Sequence, residues 1–256
     1  MSAAPSTDLT DDAFVERLLA SLRDDRDGLA ALAAADLDAP VPHCPGWTLR
    51  DLLDHMGRIH RWAYEYQLLP PDWPRPEVPP GVGDRPDAVE WVVEGLDLLI
   101  ERFATTDLTA ACATFAGPAV RAWWLRRQAM ETAVHRWDAE TTAGVGPAPV
   151  DADVAEAGVD EWCEIEAARW YSPSPDLSLT VHLHATDDAV GDGEWFLEAT
   201  PDGLAWEHGH RKGDIAVRAS RSDLFLLAWR RVEPATLEVF GDVARLAAFL
   251  GATEVD

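Results

Sequence analysis

Apolar residues recur every three or four positions through the first half of the chain, then begin to alternate in the second half. Phe14, Leu18, Leu19, Leu22, Leu29 and Leu32 fall on one helical face, so the spacing predicts a first helix over roughly 11–35. Gly28 lies inside it and weakens the case for an unbroken run. The segment Val41-Pro-His-Cys-Pro-Gly-Trp47 reads as a rigid connector. Thr48 then has the chemistry of an N-cap, with Asp51 in the capping-box position. Leu49, Leu52, Leu53, Met56, Ile59 and His60 continue at helical spacing to about Leu69. Residues 70–86 are dense in proline and glycine, a loop long enough to be a lid or a surface excursion. Helical periodicity returns over 87–103, with Trp91, Leu98 and Leu99, and over 118–142, with Trp123, Trp124, Leu125, Met130, Val134 and Trp137.

Four helices with one apolar stripe each can close around a common core, which predicts a four-helix bundle. The Gly/Pro-rich stretch Thr141–Pro149 is the best boundary in the chain, giving domains 1–147 and 148–256. Beyond it, 151–171 is still helical, but 178–185, 194–200, 203–208 and 214–219 read as short strands. Leu177, Leu179, Val181 and Leu183 alternate on one face of the first strand. Closing helices follow over 222–230 and 242–250. The predicted fold class is α+β, a helical bundle followed by a small α+β domain.

Charge changes the picture of partners. Lys and Arg total 21 against 46 Asp and Glu, a formal net charge of −25. So acidic a surface repels phosphate backbones and anionic lipid, which excludes nucleic acid and membrane surfaces as expected partners. No apolar run approaches the ~18 residues a bilayer span needs. The start of the chain does not read as a signal peptide, and three scattered cysteines do not form a disulfide framework. The expectation is a cytoplasmic protein. An anionic substrate would need arginines near the site to override the overall field.

The strongest chemical pattern is Glu131-Thr-Ala-Val-His135 on the fourth helix. Residues four apart project from one helix face, so the carboxylate and imidazole can share one ion. A third ligand should come from a facing helix, and His55 on the second helix is the natural candidate. The same spacing also fits a core histidine beside a carboxylate, and spacing alone does not separate the two.

Other residues admit weaker readings. Cys44 is a candidate nucleophile in a structural turn. His60 points away from the face of His55 and reads as packing or surface. His182, His184, His208 and His210 are either a second metal site, a polar wall or ordinary strand histidines. Arg121, Arg126 and Arg127 are candidate carboxylate binders or solvated positions, and Arg218, Arg221, Arg230 and Arg231 cluster late in the chain.

Two stretches carry a resemblance. Val41-Pro-His-Cys-Pro-Gly-Trp-Thr-Leu-Arg-Asp-Leu-Leu-Asp-His-Met-Gly57 and Arg127-Gln-Ala-Met-Glu-Thr-Ala-Val-His-Arg-Trp-Asp-Ala-Glu140 resemble the mycothiol-dependent maleylpyruvate isomerase family of actinobacteria, part of the wider DinB-like metal-binding bundles. The second half, including Val181-His-Leu-His-Ala-Thr-Asp187, is similar to that family's sterol-carrier-like C-terminal domain. The resemblance implies a divalent metal, zinc foremost, on His55, Glu131 and His135, with mycothiol as the low-molecular-weight thiol cofactor. It implies an isomerase in which a metal-activated thiolate adds to a cis double bond of an unsaturated oxo-diacid such as maleylpyruvate. Rotation and loss of the thiol would then give the trans product. A mycothiol S-transferase acting on an electrophile would use the same site, and a non-catalytic metal-binding regulator or scaffold would use only the bundle.

Overall fold

A computed structural model defines residues 8–81, 87–167, 171, 178–188, 191–201 and 203–253. The chain divides into two compact units, Asp8–Ala148 and the stretch from Pro149 onward.

The first unit is built on α1 (Asp12–Ala30), α2 (Leu49–Tyr66), α3 (Ala88–Thr105) and α4 (Ala122–Thr142). α1 packs on α3 and α4, and α2 on the same two, so the four close into a bundle. Asp11 caps α1, its side chain accepting from the Phe14 amide at 2.9 Å. Thr48 and Asp51 form the expected reciprocal capping box at the start of α2. α1 ends at Ala30 rather than near residue 35 and passes unbroken through Gly28. Glycine suits that position because of close packing: a Cβ at 28 would lie 2.8 Å from Glu140 Oε1 and 3.2 Å from Arg136 Cδ on α4.

α4 departs most from the expected pattern. It begins at Ala122, because Ala119–Val120 (β2) pairs antiparallel with Ala111–Cys112 (β1) in a short hairpin. It also carries no single apolar stripe. Arg126, Arg127, Gln128, Thr132, His135, Arg136, Asp138 and Glu140 are buried alongside its apolar residues. Buried charge is tolerated only where it is paired. Arg136 meets that demand by donating to Asp25 Oδ1 at 2.9 Å, Glu140 Oε2 at 2.6 Å and the Ala148 carbonyl at 2.6 Å.

The described part of the long loop after α2 lies back along that helix. Arg58 Nε donates to the Pro79 carbonyl at 2.9 Å and Trp62 Nε1 to the Pro76 carbonyl at 3.0 Å. Loop residues 82–86 lie outside the described residues.

The second unit opens with α5 (Ala152–Glu161), which continues as a wider π-helical stretch over Trp162–Ala167. The rest of the helix expected to residue 171 falls largely outside the described residues, and Tyr171 itself bridges to Thr253. A five-stranded sheet follows, formed by β3 (Leu179–Ala185), β4 (Glu194–Thr200), β5 (Gly203–His208), β6 (Ile215–Ala219) and β7 (Glu238–Phe240). The strand order is β5-β4-β3-β6-β7. β3 and β6 are parallel, and the other pairs are antiparallel. Edge strand β7 was not expected from the sequence, since three residues are too few to show alternation. α6 (Arg221–Ala228) packs on α5, β6 and β3, and α7 (Val243–Gly251) closes the chain. Val181, Leu183, Trp195, Leu197, Ile215 and Val217 are buried in the sheet. The fold is α+β, a helical domain followed by a sheet domain.

Candidate metal centre

α2 and α4 bring His55, Glu131 and His135 together inside the bundle. His55 Nε2 lies 3.0 Å from Glu131 Oε1, and His135 Nε2 lies 3.4 Å from the same oxygen. All three donor atoms lie within 4.8 Å of one another. A tetrahedral zinc site, with bonds of about 2 Å, separates its ligand atoms by roughly 3.3 Å. Both imidazole nitrogens therefore stand from Glu131 Oε1 at nearly the separation one ion would require. Two imidazoles and one carboxylate are also a donor set suited to zinc and its first-row neighbours.

The surroundings fix how each ligand is presented. Arg127, one turn before Glu131, bonds its Oε2, so Oε1 alone faces the imidazoles. Burial by itself would raise the Glu131 pKa, but the charges of Arg127 and His135 outweigh it and hold the carboxyl well below its usual value. Burial likewise opposes a charged His135, yet Glu131 and Asp138 raise its pKa overall. His135 Nδ1 lies 3.1 Å from Asp138 Oδ2, and a carboxylate can only accept there. A ring proton therefore sits on Nδ1, and Nε2 is the nitrogen turned toward Glu131 and His55, the outer arrangement usual for a metal-bound histidine. Asp138 had not been singled out from sequence. Its position three residues after His135, on the same helix face, was the available signal.

Cys44 approaches the same carboxylate, its thiol 3.8 Å from Asp138 Oδ2, and with His135 and Asp138 it forms an adjoining donor group. The turn containing Cys44 thus packs against the back of the centre. His60 is fully buried, 3.0 Å from Thr132 Oγ1, and burial lowers its pKa to about 3. It is a neutral packing residue. Trp47 leans over His55, ring centroids 5.1 Å apart. An open cleft of about 300 Å³ reaches His55 between Gly46, Trp47, Asp51, Asp54 and Arg58.

The other arginines separate by role. Arg121 ties the start of α4 to the Gln67 carbonyl at 3.2 Å and Thr106 Oγ1 at 3.0 Å. Arg126 and Arg127 are buried rather than solvated. In the second unit Arg221 is buried against Glu156 and Asp187, and Arg231 donates to the Trp229 carbonyl at 2.8 Å. Trp124 sits at the centre of an aromatic cluster with Trp62, Tyr66, Phe115 and Trp123. Among the described residues, no helix is long and apolar enough to cross a membrane.

A helical bundle with inward-facing His and Glu donors, followed by an α+β domain, defines a two-domain class of DinB-like architecture. Residues 18–140 match the domain family described as the mycothiol maleylpyruvate isomerase N-terminal domain, and residues 153–248 match the C-terminal domain of the same family. The chain belongs to the mycothiol-dependent maleylpyruvate isomerase family, and it is an enzyme. Two solved structures are similar over most of their length. A crystal structure of a mutant of the mycothiol-dependent maleylpyruvate isomerase is 12% identical, with a TM-score of 0.59. A second crystal structure of that isomerase is 13% identical, with a TM-score of 0.55. In both comparisons 85% of this chain and 90% of the other are covered. At that identity the structures speak for the fold. No curated protein matches the chain.

Proposed function

We propose that the protein is a metal-dependent isomerase that uses mycothiol to convert a cis-unsaturated oxo-diacid, such as maleylpyruvate, into its trans isomer. The observation that carries this reading is the convergence of His55 Nε2, His135 Nε2 and Glu131 Oε1 in a member of this family. These three side chains would hold one divalent ion, most simply zinc, beside the cleft that reaches His55, and three protein ligands are one fewer than a closed zinc site takes. When bound, the ion would lower the pKa of a coordinated thiol and so supply a thiolate nucleophile at neutral pH.

The chain's own residues prepare the centre. Asp138 fixes the His135 tautomer, and Arg127 restricts Glu131 to one ligating oxygen. Trp47 packs its tilted ring against His55. Arg58 supplies a cation at the cleft, where an anionic substrate would otherwise meet Asp51 and Asp54. The three free cysteines fit a reducing cytosol.

The test has two readouts. Metal content of wild type and of the His135→Ala variant should differ by one ion per chain; equal content would overturn the assignment. Cobalt-substituted protein should then gain a sulfur-to-metal charge-transfer band on adding mycothiol. An unchanged spectrum would remove the thiol from the mechanism. Mass spectrometry after incubation with cis-unsaturated diacids and electrophiles separates the chemistries. A trans product with free mycothiol supports the isomerase, a lasting thioether the transferase, and no turnover a non-catalytic metal protein.

A further inference from the structure

A second group of donors lies in the sheet domain, and the proposed reaction does not use it. His182 and His184 alternate on β3, so both stand on the face opposite Val181 and Leu183, the residues that pack into the domain core. The β3–β4 register sets Glu194, the first residue of β4, directly across from His184. After β5 the chain turns at Gly209, whose φ of 140° favours glycine, and the turn returns His210 to the same carboxylate. His184 Nδ1 lies 2.6 Å and His210 Nδ1 3.1 Å from Glu194 Oε1, while His182 Nε2 bonds Oε2. The four donor atoms lie within 4.8 Å of one another.

We propose that His182, His184, Glu194 and His210 form a second metal site, which takes a divalent ion of the zinc class and pins the β5–β6 connector to the sheet. Three imidazole nitrogens and one carboxylate oxygen favour zinc, cobalt, nickel or copper over the oxygen-seeking magnesium and calcium. Four protein ligands complete a tetrahedron, so the site is closed and structural, unlike the three-ligand centre in the bundle. The side chain of His210 is 74% exposed. Packing therefore does little to hold this ring edge-on to His182, their centroids 4.7 Å apart, and a shared ion would reinforce its one contact with Glu194. Room for the ion is present, because a cavity of about 570 Å³ opens beside the three histidines, bordered by Lys212, Arg218 and Phe240.

The experiment is a zinc titration of chelator-stripped full-length protein, with stoichiometry read by native mass spectrometry and affinity by competition with a chromophoric chelator. His210→Ala changes an exposed connector residue, and Glu194→Gln preserves side-chain size, so both variants should keep the wild-type circular dichroism. Each is expected to bind one zinc fewer than wild type, or to hold it at least ~100-fold more weakly, beyond the 10–100-fold typical for loss of an outer partner. His55→Ala should retain this ion, which separates it from the bundle centre. Zinc should also raise the melting temperature of His55→Ala but not of His55→Ala/His210→Ala. Unchanged stoichiometry and affinity in both single variants, or equal zinc-induced shifts with and without His210, would overturn the proposal and leave the histidines as hydrogen-bond donors to Glu194 alone.

Discussion

His135 Nδ1 donates to Asp138 Oδ2 across 3.1 Å, one helical turn along α4, and this bond decides which nitrogen of the ring faces His55 and Glu131. Without Asp138 the neutral ring is free to carry its proton on Nε2, where it cannot ligate. Asp138→Ala is therefore expected to weaken zinc affinity by ~10–100-fold while leaving all three proposed ligands in place. Competition titration measures it. Wild-type affinity in the variant would show that Asp138 only packs against Cys44.

Removing the metal should not unfold the bundle. Leu18, Leu22, Leu49, Leu52, Met56 and Trp124 are fully buried and build a core that needs no ion. Chelation should abolish turnover and lower the melting temperature, yet preserve the helical circular dichroism signal at room temperature. Collapse of that signal on adding chelator would contradict the expectation.

Gly57 lies where α2 meets α3, two residues after His55. A Cβ there would clash with Cζ3 and Cε3 of the Trp91 ring, which is itself held by the Arg61 guanidinium 4.0 Å above its centroid. Alanine at a helical position normally gains about 1 kcal/mol over glycine. Overpacking a rigid aromatic costs about 1–3 kcal/mol. The clash should win, so Gly57→Ala is expected to lower the denaturant midpoint and to displace His55. An increase in the midpoint would mean that Trp91 moves aside freely.

Asp25 sits in the buried network around Arg136. Burial raises its pKa to about 6, against the opposing pull of Arg136. The folded state therefore holds this proton more tightly than the unfolded chain, whose carboxyl titrates near 3.8. The stability that this proton confers is full below 3.8 and is lost as pH rises to about 6. The difference in unfolding free energy, wild type minus Asp25→Asn, should fall across that window and flatten above it. A difference that rises with pH would show that Arg136 dominates.

Much was legible in the sequence because it is local. Helical spacing located the four bundle helices to within a few residues, the Thr48–Asp51 pair announced the start of α2, and strict alternation exposed β3. The four-residue spacing of Glu131 and His135 placed both on one helix face, since that distance is set by the helix itself. Tertiary structure decided how the faces meet. His55 lies 76 residues from Glu131, and their approach depends on the rotation and depth of α2 against its neighbours, where contacts such as Gly57 on Trp91 act. No periodicity records that. The all-round burial of α4 was hidden for the same reason. Arg126 and Arg127 read as carboxylate binders or solvated positions because sequence shows polarity but not the partner, and Arg136 is tolerable inside because Asp25, 111 residues away, joins Glu140 and the Ala148 carbonyl in pairing it. Likewise the alternation in β3 set His182 and His184 on one side, but strand register and the turn at Gly209 brought Glu194 and His210 to them.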